Sequence, residues 1–563
     1  MSSDVSSTAS IFEERAENLD QDDFFRWTAE SPRDKSIIRK LTGPGLKLLS
    51  GPRGSGKSTL LRRAYYGILA DEDVIGAYVN FSKSLALEPL FLKKANALQI
   101  FRQWVLFKLV GGIADGLRDG GKSIPTSLAN LEVTGIRFIH DVETMQNIVL
   151  PDHLLSPTEF VLLVEQWLGH AGASRCVLLL DDAAHAFSPE QQREFFEIFR
   201  SLRSRKISAK AAVYPGITTY SPFFHVGHEA ELLPVWQSPD DETYLETMRE
   251  IARRRLTEEM YRSFDDRPEL IDYLALASFG LPRGFLNMLS YVLGVDDEEL
   301  IAKPSRTKAD KAIRIHAESV EGIFLSLKGK LPRYKRFIDV GLELEGAIAQ
   351  LLRAFNVNKP VGRSKAFTVG ISQPISSELA VILSMAQYAG ILRREENVSR
   401  GEKGVFERYI LHFAIILREN SLSLGRSPSI RDAIASLSSN NAHAFARAKE
   451  STLLSADYKL KCTLDLAPCS KCGTPRVSDE ARFCMKCGSE LTNSSIYEDL
   501  VSRSIEVLPL TANKIQGLLV HTDIRTVQDV LMDDERNQIR SVPYVGSVWT
   551  SRIRNAAEEY VSV

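Results

Sequence analysis

Residues 46–69 read LKLLSGPRGSGKSTLLRRAYYGIL, and the fold is decided there. A short apolar run leads into a glycine loop, and a helix-period pattern leaves it. The loop Gly51-Pro52-Arg53-Gly54-Ser55-Gly56-Lys57-Ser58-Thr59 fits GxxxxGK[ST] between a strand and a helix. Such glycines let backbone N–H groups turn inward around a phosphate, and the following helix points its positive end at the same anion. Residues 51–59 are therefore expected to cradle ATP, with Lys57 reaching the β and γ phosphates and the Ser58 hydroxyl completing a Mg²⁺ shell. The plainer alternative is a glycine turn that binds nothing.

Outward from this loop the text alternates. Apolar runs at 74–81 (VIGAYVNF), 176–180 (CVLLL) and 209–214 (AKAAVY) are separated by helical patterns, which predicts an α/β unit with a buried parallel sheet. Residues 84–174 read as a mostly helical insertion. The run CVLLLDD ends in Asp181, expected to hold Mg²⁺, and Asp182, expected to polarise an attacking water. A strand ending in a solvated acidic turn is the other reading.

Composition narrows the class. The chain has 563 residues, 44% hydrophobic and 25% charged, enough for three or four globular units. Its most apolar stretches are interrupted by Lys93, Lys94, Arg102, Lys108 or Glu378, so no membrane span is expected. The start MSSDVSSTASIFEER lacks a basic region and an apolar region, and a cytoplasmic location is expected. A net charge of -2 predicts no whole-molecule attraction to nucleic acid, so any polyanion site must be local.

Four of the six cysteines form Cys469-x₂-Cys472 and Cys484-x₂-Cys487, each pair followed by glycine. Four thiolates close a tetrahedron around Zn²⁺ with no open position, which predicts a structural zinc ribbon rather than redox pairs. Cys176 and Cys462 are expected to be packing residues.

GPRGSGKST, LLLDDAAHAFS, AKAAVYPGITT and Gly280-Leu281-Pro282-Arg283 together resemble the AAA+ and STAND branch of P-loop ATPases, and within it the ORC/Cdc6-like ATPases. The resemblance spans residues 10–295, or to 415 with a winged-helix unit. It implies an α/β P-loop NTPase with an AAA+-like parallel sheet, a helical lid and a winged-helix domain, followed by the zinc ribbon and a small α-helical domain. It also implies Thr218 as the residue sensing the γ-phosphate and Arg283 as the sensor-2 arginine; a helix-capping turn with a surface arginine is the alternative for Arg283. Two departures point to slow turnover. Asp182 stands where replication-type relatives carry glutamate, and no arginine lies between Ile207 and Pro234 to serve as a finger. Arg193, Arg200 or Arg253 to Arg255 are the substitutes.

The expected units are an N-terminal extension 1–40, an ATPase core 41–238, a helical lid 239–300, a basic linker 301–336, a winged-helix-like unit 337–417, a connector 418–465, the ribbon 466–492 and a helix-hairpin-helix-like unit 497–563. DNA is the expected partner, through one of three regions. Residues 303–336 hold ten Lys/Arg against three Asp/Glu, with Lys328, Lys330, Arg333, Lys335 and Arg336 closest together. A solvated linker is the competing reading. The winged-helix-like unit offers a helix near 377–389 and a wing with Arg393 and Arg394. The C-terminal unit, with a hairpin around Pro543, Tyr544 and Gly546 and with Arg552 and Arg554, resembles a phosphate-gripping module, but its ten acidic and seven basic side chains suit a protein-docking module as well.

The leading expectation is an ATP-binding, Mg²⁺-dependent ATPase whose nucleotide state controls DNA engagement, with nucleotide-dependent self-association. The second is a STAND-like switch that grips a protein partner, in antiviral defence, with slow or no turnover.

Overall fold

The computed structural model describes residues 18–183, 188–295, 302–359, 365–401, 404–425, 428–439, 445–478, 481–491, 495–533, 535–543 and 545–562. Tyr544 of the expected hairpin lies outside the described residues, as do residues 184–187 after the acidic pair.

Five strands form a parallel sheet: β1 (Lys47–Ser50), β2 (Val74–Asn80), β3 (Arg175–Asp181), β4 (Ile207–Val213) and β5 (Glu231–Pro234), in the order β2-β3-β4-β1-β5. β4 pairs with both β1 and β3, so the carboxyl ends of β1, β3 and β4 open at one edge. In an open parallel sheet that edge is where ligands bind. Every residue of β4 is buried, and so is β3 from Cys176 to Asp181, because helices cover both faces.

One face carries helices Pro32–Thr42 and Lys57–Leu69, whose Leu41, Leu60, Leu61 and Ile68 meet Leu49, Val177 and Leu179. The other carries helices Ala97–Asp119 and Pro189–Ser201, packed through Trp104, Ile113, Phe195 and Phe199. Helix Ala97–Asp119 lies so close to β2 that a Cβ on Gly116 would sit 1.7 Å from the Gly76 carbonyl oxygen. The insertion between β2 and β3 contains helices, with Thr126–Glu143 and Pro157–Ala171 as its later ones.

Helices Tyr244–Arg255, Glu258–Arg262, Glu269–Ala277 and Pro282–Leu293 form a bundle after β5. Residues 306–330 are not a basic linker: they form one 25-residue helix, Arg306–Lys330. Its Ala309, Ala312, Ile313, His316, Ala317, Val320, Phe324 and Leu327 recur every three or four residues and are buried, so the charges other than buried Lys330 occupy the remaining face. A second sheet follows, of β6 (Thr368–Ser372), β7 (Leu392–Ser399), β8 (Val405–Leu411) and β9 (Phe445–Ala448), in the order β7-β8-β6-β9. The antiparallel ribbon β7–β8 matches the wing expected from sequence. β9 lies inside the segment read as a connector and pairs in parallel with β6, so that segment belongs to the sheet.

The last unit contains helices Ile496–Val501, Ala512–His521, Val527–Met532, Asn537–Arg540 and Ser547–Val561. Leu500, Val501, Leu518, Val530 and Ile553 join the apolar core that runs through the bundle and the second sheet. Among the described residues no helix is long and apolar enough to cross a membrane.

Candidate nucleotide and metal sites

The loop after β1 turns through Gly54 (φ +77°) and Gly56 (φ +89°), a left-handed conformation that disfavours any Cβ. Gly56 is the N-cap of helix Lys57–Leu69, and no side chain caps that end. The first amides of the helix are thus left for a ligand, as anion recognition at a helix N-terminus requires. Residues Arg53 to Thr59 line a cavity of about 1460 Å³, together with Asp182, Tyr214 and Arg283.

Lys57 is buried. Its Nζ donates to the carbonyl oxygens of Gly51 (2.7 Å) and Pro52 (3.1 Å) and lies 3.9 Å above the Tyr214 ring. Burial pushes its ammonium down to about 7, although Asp182 and Asp181 favour the charged form. The lysine is folded back onto its own loop, and a phosphate tail would offer it a stronger partner.

Asp181 ends β3 fully buried. It accepts from Tyr78 Oη at 2.7 Å and from the Asp182 backbone N–H at 3.0 Å. Asp182 follows with φ +50°, a strained position that aspartate tolerates better than most residues, and its carboxylate accepts from Tyr214 Oη at 3.1 Å. Asp182 lines the cavity, whereas Asp181 stands behind it. Tyr214 follows β4 directly, between Asp182 and Lys57. Burial, then the Asp182 charge, raise its phenol well above the ordinary value.

Thr218 is placed differently from the expectation. Its hydroxyl donates to the Tyr214 carbonyl (2.8 Å) and accepts from the Tyr214 N–H (3.2 Å), closing a turn, and it does not line the cavity. Tyr214 holds the position facing the loop. The run AKAAVY ends in that tyrosine, four residues before the Thr218 hydroxyl. Arg283 does reach the site, with its Cβ 3.0 Å from a Cβ built on Gly54. Arg255 also lines the cavity, while Arg253 and Arg254 pair with Glu250 and Arg200 pairs with Glu197.

The far wall of the cavity was not foreseen. It is the end of helix Ser547–Val561, contributing Arg554, Glu558, Glu559, Val561 and Ser562. Arg283 pairs with the Glu559 carboxylate at 2.7 Å, and Arg53 bonds Ser562 Oγ and approaches the Glu559 carbonyl at 3.4 Å. No local pattern in the sequence signals a contact across hundreds of residues.

The four cysteine sulfurs converge within 4.8 Å of one another, with Cys469–Cys487 at 3.6 Å and Cys472–Cys484 at 3.5 Å. Tetrahedral Zn–S bonds place sulfurs about 3.8 Å apart, so the donor set fits Zn²⁺. The two knuckles are alike. Gly473 N–H donates to Cys469 O and Gly488 N–H to Cys484 O, at 2.8 and 2.9 Å, with both glycines left-handed. The fold here is a zinc-ribbon arrangement. Cys176 and Cys462 are buried.

In the three regions expected to meet DNA, several of the cations have partners within the protein. Lys328 pairs with Asp339, Arg336 bonds Thr463, and Lys330 is buried. Arg393 pairs with Asp240 and Glu395, and Arg394 with Glu407. Helix Ser377–Ala389 buries Leu379, Ile382, Leu383, Met385, Ala386, Tyr388 and Ala389 and leaves Ser377 exposed, with Glu378, Val381, Ser384 and Gln387 half-buried along one face. It abuts the turn after β4: Tyr388 packs on Tyr214 with centroids 5.6 Å apart, and a Cβ on Gly216 would lie 2.1 Å from Ser384 O. In the C-terminal unit Arg552 stacks on Trp549 and Arg554 pairs with Glu558.

No protein-family model matches the sequence, and no curated protein matches it. Similar solved structures include a Walker-type ATPase of Pyrococcus abyssi, at 13% identity over 69% of this chain and 94% of that one, with a TM-score of 0.37. They also include Cdc6p from Pyrobaculum aerophilum, at 14% identity over 74% and 98%, with a TM-score of 0.31. A third is the Aeropyrum pernix ORC1 protein in complex with DNA, at 14% identity over 71% and 96%, with a TM-score of 0.30.

Proposed function

We propose that this protein is an ATP-binding, Mg²⁺-dependent P-loop ATPase that turns over slowly and acts as a nucleotide-controlled switch. The observation that carries the reading is the uncapped loop 51–57, with Lys57 beneath it and Asp182 and Tyr214 facing it from the neighbouring strand ends. In this reading the amides of 54–59 and the Lys57 ammonium bind the β and γ phosphates, and Arg283 meets the phosphate end. Ser58, which lines the cavity, would hold Mg²⁺, and Asp181, buried behind Asp182, would join it by exchanging its bond from Tyr78; the ion when bound neutralises phosphate charge. Asp182 orients water for in-line attack on the γ-phosphate and Tyr214 fixes the Asp182 carboxylate, while Thr218 supports the turn that presents Tyr214. Asp182 is shorter than glutamate, which is why slow turnover is expected.

Engagement of DNA, the partner of the Aeropyrum pernix ORC1 protein, belongs to this reading as a consequence of nucleotide state. The second reading is a switch with a protein partner. It is favoured by the packing of helix Ser377–Ala389 against the nucleotide unit through Tyr388 and Tyr214.

The test is ATP binding and turnover by wild type, Lys57→Ala and Asp182→Asn, with and without duplex DNA. Lys57→Ala is expected to lose binding by at least about 100-fold, the loss of a charge-assisted contact worth about 3 kcal/mol. Asp182→Asn is expected to keep binding and lose most turnover. Equal ATP affinity in wild type and Lys57→Ala would remove the site. DNA-stimulated turnover that falls steeply with salt supports the DNA reading, and its absence at low salt supports the protein partner.

A further inference from the structure

The C-terminal helix ends on the groups that the proposed nucleotide needs. Helix Ser547–Val561 directs its carboxyl end, the negative end of its dipole, at a cluster of cations drawn from three distant segments. Arg283 of the helical bundle holds the Glu559 carboxylate at 2.7 Å. Arg53 of the phosphate loop approaches the Glu559 carbonyl at 3.4 Å and bonds Ser562 Oγ. Lys330, buried at the end of helix Arg306–Lys330, donates to the same Glu559 carbonyl at 3.3 Å. A helix leaves its last carbonyls without internal partners, and here cations supply them. Burial alone would work against the charge of Arg53, yet Glu559, Tyr388, Tyr214 and Asp182 more than restore it. Glu559 thus stands as an internal anion beside an arginine of the phosphate loop.

We propose that Glu559 is an internal occupant of the phosphate-end subsite, a latch that holds the C-terminal unit across the nucleotide cavity until a triphosphate takes its cations. The inference rests on the nucleotide reading of the loop. A triphosphate tail carries more charge than one carboxylate and a helix end, so it displaces Glu559 from Arg283 and the helix end from Arg53. A diphosphate, which lacks the terminal group that meets Arg283, leaves the latch in place. Nucleotide state is thereby converted into docking or release of the end of helix Ser547–Val561, while the apolar core holds the rest of the unit.

Full-length wild type, Glu559→Gln, Ser562→Ala and Lys57→Ala are titrated with an ATP analogue carrying a non-hydrolysable β–γ bridge and with ADP, and amide exchange of 547–562 is followed in each state. A latch closed about four-fifths of the time lowers apparent affinity about fivefold, so Glu559→Gln is expected to bind the analogue about fivefold tighter than wild type. The analogue is expected to raise exchange in 547–562 of wild type, and ADP to leave it unchanged. Ser562→Ala, which removes a bond to Arg53 without changing charge, is expected to act in the same direction by about twofold, and it carries the test if Glu559→Gln lacks a cooperative melting transition. Lys57-dependent binding with no gain in either variant, or with unchanged exchange in 547–562, overturns the latch and leaves the nucleotide site standing. Failure of every chain to bind, or equal binding by Lys57→Ala, overturns the nucleotide site, and the latch with it.

Discussion

At the scale of one residue, Lys57 gives the site a pH signature. Burial holds its ammonium near 7 in the free protein, so at pH 8 it is mostly neutral and at pH 6 mostly charged. Phosphate beside it favours the charged form, and the bound lysine stays protonated through pH 8. Binding at pH 8 must therefore take up a proton, approaching about one per site, while binding at pH 6 takes up little. Calorimetry in two buffers of different ionisation enthalpy measures this uptake. Lys57→Arg, which stays charged throughout, is expected to abolish the difference between pH 6 and pH 8. An undiminished uptake in Lys57→Arg would assign the proton elsewhere, and Lys330, also held near 7 by burial and then by Arg53, is the next group to change.

At the scale of elements, what could be read in advance was what repeats or is punctuated locally. The phosphate loop is nine consecutive residues, the metal knuckles are two CxxCG turns, and the strands CVLLL and AKAAVY are unbroken apolar runs. Helix Arg306–Lys330 is hard to read in advance because ten cations in its neighbourhood mask a buried stripe in which three of the positions are alanines. β9 was missed because the four residues FARA gain strand character only from the neighbouring β6. The ribbon shows the opposite balance. Of its described side chains only Cys469 and Cys484 are buried apolar ones, while Val477, Phe483 and Met485 are exposed. Without an apolar core its folding free energy must come from the metal, about 10 kcal/mol or more for a structural zinc. A chelator is expected to release one zinc ion per chain and to raise amide exchange in 469–488, with the main melting transition little changed because the sheets have their own cores. Retention of full zinc stoichiometry by Cys472→Ser would contradict the four-sulfur assignment.

At the scale of the whole molecule, contacts between distant segments decide how the nucleotide unit and the C-terminal unit move together, and none of them has a sequence signature. Glu88, buried beside the cavity, accepts from Ser495 Oγ at 2.5 Å and from the backbone N–H groups of Ile496 and Tyr497, both at 3.2 Å. One carboxylate from the insertion thus caps the first helix of a unit 407 residues further along. Glu88→Ala strands those donors at an interface that excludes water, at a cost of about 1–3 kcal/mol. The variant is expected to keep its sheet protected while residues 495–501 exchange faster. If Glu88 and Glu559 hold the same docked state, Glu88→Ala also tightens binding of the non-hydrolysable ATP analogue, since either substitution raises the open fraction. The double substitution Glu88→Ala, Glu559→Gln then gains less than the sum of the two, because a unit already released cannot be released again. Strict additivity in that double-mutant cycle would mean that the two carboxylates act on separate equilibria and that the C-terminal unit does not move as one body.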